Sequence, residues 1–105
     1  MEQEEVIKRI MEVAGQVLPE GASLWLYGSR ARGDARPDSD YDLLILLDKN
    51  TVQGADFDNY SYPLFAMGLE IDAEINAHIY TKKDWRSWDY VPFHDNVEED
   101  KIVLR

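Results

Sequence analysis

An unbroken apolar run, Leu43-Leu44-Ile45-Leu46-Leu47, stands between Asp42 and Asp48. Short, bounded by acids and lacking any alternation, it reads as a central β-strand covered on both faces. That places the chain in the α/β (α+β) class. The remaining elements follow from periodicity. Val6, Ile7, Ile10, Met11, Val13, Ala14, Val17 and Leu18 recur at three- and four-residue spacing, which predicts an amphipathic helix over 2–18, stopped by Pro19 and Gly21. Residues 22–27 read as a short strand broken at Gly28.

Residues 57–67 suggest a helix interrupted by Pro63, with Gly68 as its cap. The segment 69–80 then alternates: Ile71, Ala73, Ile75, Ala77 and Ile79 point one way, Asp72, Glu74, Asn76 and His78 the other. This predicts a second acidic strand. Thr81, followed three positions later by Asp84, has the form of a helix N-cap. The tail from Val91 reads as irregular with one short apolar segment. The expectation is one domain over 1–105, with a small mixed sheet of about three strands flanked by helices. The length of 105 residues and the 45% apolar content suit that size.

Charge and composition exclude several functions. A formal net charge of −10 argues against extended nucleic acid as a partner, since phosphate backbones are captured by basic surface. With no cysteine there is neither a disulfide framework nor a thiolate metal site. No stretch approaches the roughly 20 apolar residues that span a bilayer. Met1-Glu2-Gln3-Glu4-Glu5 lacks the basic start of a signal peptide. A cytoplasmic protein without a membrane partner is expected, and a homo-oligomer is compatible with the sequence.

The chemistry gathers around 28–42. Asp40 and Asp42, two apart at the mouth of the apolar strand, share a face and suit a hard cation such as Mg²⁺. Upstream, Gly28-Ser29 sits where a strand gives way to a turn, and backbone N–H groups with a hydroxyl there suit phosphate oxygens. Arg30, Arg32 and Arg36 cluster beside it. A phosphate cradle next to a carboxylate pair suggests nucleotide chemistry.

Gly28-Ser29, Arg32-Gly33 and Asp40-x-Asp42 leading into an apolar strand resemble the signature of the DNA polymerase β-like nucleotidyltransferase superfamily, and among its members the minimal nucleotidyltransferases. The resemblance implies that Gly28 and Ser29 bind the triphosphate of ATP or another NTP and that Asp40 and Asp42 hold Mg²⁺. Arg32 and Gly33 shape the turn, with Arg32 either touching phosphate or pairing with Asp34 or Asp38. Arg30 is expected to face solvent.

The family's site also has a third carboxylate on a neighbouring strand. Measured back from Thr81 it falls nearest Asn76, which has no carboxylate. Glu74, one pleat away, is the candidate for that role, with Asp72 next. His78 shares the face, and Trp25, Trp85 and Trp88 read as core.

Two functions compete. One is a Mg²⁺-dependent enzyme moving AMP from ATP to a hydroxyl. The other is a weak or inactive antitoxin or regulatory subunit that masks a partner. The resemblance implies, for both, a small all-helical partner of the HEPN type, and the ending Pro92-Phe93 to Ile102 is similar to that of minimal nucleotidyltransferases, with Asp100 where glycine is common. In a third reading, Asp40 and Asp42 are ordinary solvent-facing turn residues.

Overall fold

The computed structural model describes residues 1–88 and 90–105. Helix α1 (Gln3–Val17) buries Val6, Ile10 and Ala14 along one stripe, and Glu4 and Glu5 lie in its first turn, where the helix dipole favours negative charge. Strand β1 (Ser23–Tyr27) and strand β2 (Tyr41–Leu47) pair antiparallel, joined through the short helix α2 (Ser29–Arg32). Strand β3 (Ile75–Thr81) pairs parallel with β2.

Parallel neighbours need a crossover of roughly a dozen residues or more. Here it is a helical run of α3 (Gly54–Asp56), a π turn (Phe57–Ser61) and α4 (Tyr62–Glu70). Helices α5 (Lys82–Ser87) and α6 (Pro92–Asp100) follow, then strand β4 (Ile102–Val103) against β1. The sheet order is β3-β2-β1-β4.

The apolar run of β2 divides between two cores. Leu43, Ile45 and Leu47 pack with Ile10 of α1 and with Leu64 and Met67 of α4. On the other face Leu44 and Leu46 pack with Trp85 and Val97, flanked by Trp25, Tyr27, Tyr80 and Trp88. Burying a large apolar side chain is worth about 1.5–3 kcal/mol, so a strand buried on both faces anchors the whole domain. Trp85 is a core residue, as expected, and Trp25 and Trp88 pack against it partly buried.

Several expectations need correction. The sheet has four strands rather than about three. The tail that reads as irregular holds α6 and β4: Pro92 opens the helix, Val97 is its buried residue, and the ladder to β1 orders Ile102 and Val103. The alternating strand begins at Ile75 rather than Leu69, because α4 runs through Glu70 and the chain reverses at Asp72, whose φ is +57°. Gly68 lies inside α4 and caps nothing; a Cβ there would meet the Ala73 carbonyl at 2.5 Å.

Pro63 does not interrupt the crossover helix, because the turn before it widens. In a regular α-helix its ring would strike the carbonyl four residues earlier. The π turn, closed by the Tyr62 N–H donating to the Phe57 carbonyl, accommodates it. Ser61 at its end donates to the Ala77 carbonyl of β3 at 2.7 Å. At the start of the run, the buried Asp56 carboxylate accepts from the Gln53 N–H at 2.8 Å and from Lys49 at 2.7 Å. The backbone bond first, then Lys49, holds its pKa low.

Candidate active site

The β1–β2 corner is built by exclusion of a side chain. Gly28 has φ +75° and ψ −158°, a region essentially reserved for glycine. A Cβ at this position would fall 2.7 Å from Asp42 Oδ2, so the backbone passes directly over that carboxylate. The turn continues through α2 and ends at Gly33, in the left-handed conformation, whose N–H donates to the Ser29 carbonyl. The first N–H groups of such a turn have no intrahelical acceptor.

Asp42 pairs across the parallel ladder with Asn76, and Tyr27 faces it from β1. Asp40 stands immediately before β2. Asn76 Nδ2 donates to Asp40 Oδ2 at 3.3 Å. One pleat before Asn76, the Glu74 carbonyl accepts the Tyr41 N–H at 2.8 Å, which continues the ladder and sets Glu74 beside Asp40. Asp42 and Glu74 thus both lie within reach of the Asp40 charge, and Asn76 bonds to Asp40 opposite Asp42. Asp72 is displaced by the reversal that precedes the strand.

The electrostatics are those of crowded negative charge. Burial raises the pKa of Asp42, the charge of Asp40 adds to it, and His78 and Arg32 pull the other way. Glu74 is raised by a side-chain hydrogen bond with Asp40, then by the charges of Asp40 and Asp42. Tyr27 is pushed up to about 12 by burial, then by Asp42 and Tyr80. Carboxylates disfavoured in this way suit a hard cation with oxygen ligands. Among the described residues no three His, Asp or Glu side chains enclose a cation by themselves, and Mg²⁺ characteristically takes one or two carboxylates together with water and substrate phosphate. The donor set fits that pattern.

The sequence profile described as nucleotidyltransferase domain matches residues 7–104. The chain belongs to the nucleotidyltransferase domain family. Comparison with curated proteins gives no match by sequence. Among solved structures, a toxin–antitoxin with AMP-PNP aligns with a TM-score of 0.66 at 18% identity, covering 94% of this chain and 72% of that one. A mutant of the toxin–antitoxin MntA–HpeT, with two aspartates changed to glutamate, aligns with a TM-score of 0.63 at 15% identity, covering 94% and 71%. At such identities the likeness is one of fold.

Within this nucleotidyltransferase domain Arg30 departs from expectation, whereas Arg32 makes one of its expected ion pairs. Arg30 does not face solvent. Its guanidinium donates to the Ser39 carbonyl at 2.9 Å and the Pro37 carbonyl at 3.2 Å, contacts Gln3 at 3.3 Å and lies 4.3 Å above the Tyr41 ring. It fixes the loop that presents Asp40. Arg32 pairs with Asp34 at 3.2 Å and, in place of Asp38, with Asp100 at 2.8 Å.

Sequence reasoning missed Asp100, Gln3 and Tyr27 at this site. His78 lies on the face of Asp42, exposed, with its ring 6.4 Å from Phe93. His94 packs on Trp85 with ring centroids 4.6 Å apart. Among the described residues no helix is long and apolar enough to cross a membrane.

Proposed function

We propose that this domain is a Mg²⁺-dependent nucleotidyltransferase that moves AMP from ATP to a hydroxyl on a partner protein. The observation that carries this reading is the Asp42 carboxylate under the Gly28 turn, whose missing Cβ leaves it room at 2.7 Å, with Asp40 and Glu74 beside it. The toxin–antitoxin neighbour with AMP-PNP supports an adenine nucleotide and a protein partner. The doubly mutated MntA–HpeT neighbour had two aspartates altered two residues apart, the spacing of Asp40 and Asp42.

In this reading Gly28 and Ser29 hold the triphosphate through N–H groups and the Ser29 hydroxyl, and Gly33 closes the turn. Asp40 and Asp42 hold Mg²⁺, which when bound neutralises charge on the transferring phosphate and leaving pyrophosphate. Asn76 donates to Asp40 and fixes its rotamer. Glu74 takes the proton of the acceptor hydroxyl. The acceptor oxygen bonds to the α-phosphorus, the bond from that phosphorus to the bridging oxygen breaks, and pyrophosphate leaves. A base works best with a pKa near the operating pH, and Glu74 is moved in that direction by Asp40.

The test is transfer of labelled AMP from ATP to a co-expressed partner, such as a small all-helical protein of the HEPN type encoded beside this chain. Glu74→Gln is expected to slow transfer by about two orders of magnitude or more while nucleotide binding persists. A second reading is favoured by Asn76: with an amide bonded to Asp40 where a third acid is expected, the domain acts as an antitoxin or regulatory subunit that masks its partner. Binding of MgATP without transfer to any partner supports that reading and overturns the first.

A further inference from the structure

Helix α4 turns Leu64 and Met67 into the core and sends Tyr62, Phe65 and Leu69 outward at three- and four-residue spacing, along one stripe. Their exposures are 61%, 39% and 65%. The rings of Tyr62 and Phe65 lie 6.4 Å apart. Scattered exposed apolar residues are ordinary, whereas a contiguous row rimmed by polar groups marks a surface for another molecule.

Two observations specify that molecule. First, Phe65 and Leu69 line a groove of about 590 Å³ together with Pro37, Asp38, Asp72, Ala73 and Glu74. Glu74 belongs to the candidate active site, so one groove borders both the apolar stripe and that site. Second, the rim is acidic. Among the described residues neither Asp38 nor Asp72 has an ion-pair partner, and the chain carries a net charge of −10. A nucleic-acid strand is repelled by such a rim, and a second copy of this chain would bring the same acids to face it.

We propose that this groove docks the acceptor: a segment of a partner protein in which apolar side chains adjoin lysine or arginine, laid along Tyr62, Phe65 and Leu69 so that its hydroxyl reaches Glu74. The inference rests on the function proposed above and adds where the acceptor sits and what chemistry recognises it. The apolar anchors supply affinity, and the basic side chains, steered by Asp38 and Asp72, select the partner.

A phage-displayed dodecapeptide library panned on the folded chain tests this. Enriched peptides are expected to combine aromatic or aliphatic residues with lysine or arginine. Measured by fluorescence anisotropy, the synthetic peptides should bind Phe65→Ser and Leu69→Glu about tenfold more weakly or worse, a loss of about 1.4 kcal/mol. Tyr62→Ser at the far end of the stripe gives a second route to the same result. Met11→Glu, an exposed apolar site on α1, should leave peptide binding unchanged.

Enrichment of acidic or uncharged peptides, no enrichment, or equal affinity for Leu69→Glu overturns the proposal. So does self-association of the wild type that Leu69→Glu abolishes in sedimentation equilibrium, which would make the stripe a contact between copies. Calorimetry with MgATP on the same samples separates the two readings. Nucleotide binding without peptide recognition overturns the groove alone. Peptide recognition without nucleotide binding overturns the proposed function.

Discussion

Arg32 and Asp100, 68 positions apart in sequence, meet at 2.8 Å and tie the end of α6 to the turn above the acid cluster. The guanidinium is thereby held by two carboxylates, Asp34 and Asp100, which compete for it with any phosphate at Gly28-Ser29. Asp100→Asn is expected to release it and to tighten MgATP binding by no more than about fivefold, the scale of one exposed ion pair. Isothermal calorimetry checks this. An unchanged affinity would show that Arg32 serves only to hold α6.

Gly28→Ala should be the most damaging single methyl in the chain. It forces a Cβ into a glycine-only backbone region, which costs about 1–3 kcal/mol, and pushes against Asp42 Oδ2 at 2.7 Å. Thermal unfolding should report the loss, and nucleotide binding should fall with it. A variant with wild-type stability and affinity would mean that the corner yields more easily than its geometry implies.

The raised carboxyls make a prediction about pH. A carboxyl whose pKa is higher in the folded than in the unfolded chain takes up protons on folding, so its contribution is favourable in acid and lost as pH rises through the raised value. Asp42 and Glu74 are of this kind. Asp56 and Glu98 are the reverse, with contributions full above the ordinary carboxylate range and lost as pH falls through their lowered values. The neutral isostere Asp42→Asn should therefore melt a few degrees above the wild type at neutral pH. The difference should shrink as pH falls through the raised pKa of Asp42. A lower melting point at neutral pH would contradict this.

Asn76→Asp should change sign with the cation. It removes the donor to Asp40 and adds a like charge beside Asp40 and opposite Asp42, so the variant should unfold more readily in EDTA. With Mg²⁺ present a third carboxylate should restore or exceed wild-type stability, since a ligand at a hundred times its dissociation constant contributes about 2.7 kcal/mol. Melting curves with and without Mg²⁺ decide it, and a variant insensitive to the cation would remove the cluster from metal binding.

What the sequence discloses here is local. The buried run of β2, the stripe of α1 and the spacing of Gly28, Ser29, Asp40 and Asp42 need only neighbours in the chain, and each stands where periodicity put it. Glu74 and Asn76 could be ranked only approximately, because their positions depend on the register of β3 against β2.

The alternation from Leu69 was misleading, since the close approach of residues 73–75 to Gly68 lets α4 continue and delays the strand. Arg30 gives no signal, as its partners, the backbone carbonyls of Pro37 and Ser39, Gln3 and the Tyr41 ring, are brought to it only by the fold. Helix α6 did leave one: Pro92 at its first turn and Phe93 four residues before Val97 fit a helix start and an inward stripe.

The hydroxyl of Ser61 on the Ala77 carbonyl gives the sheet a sealed border and an open one. On the β3 side, helix lies against the backbone that an incoming strand would have to pair with. On the β4 side, Ile102 and Val103 stand exposed at 44% and 60% beside an unshielded ladder. Unwanted growth of the sheet into fibrils would start from that second border, and a lysine or proline there would be the natural remedy.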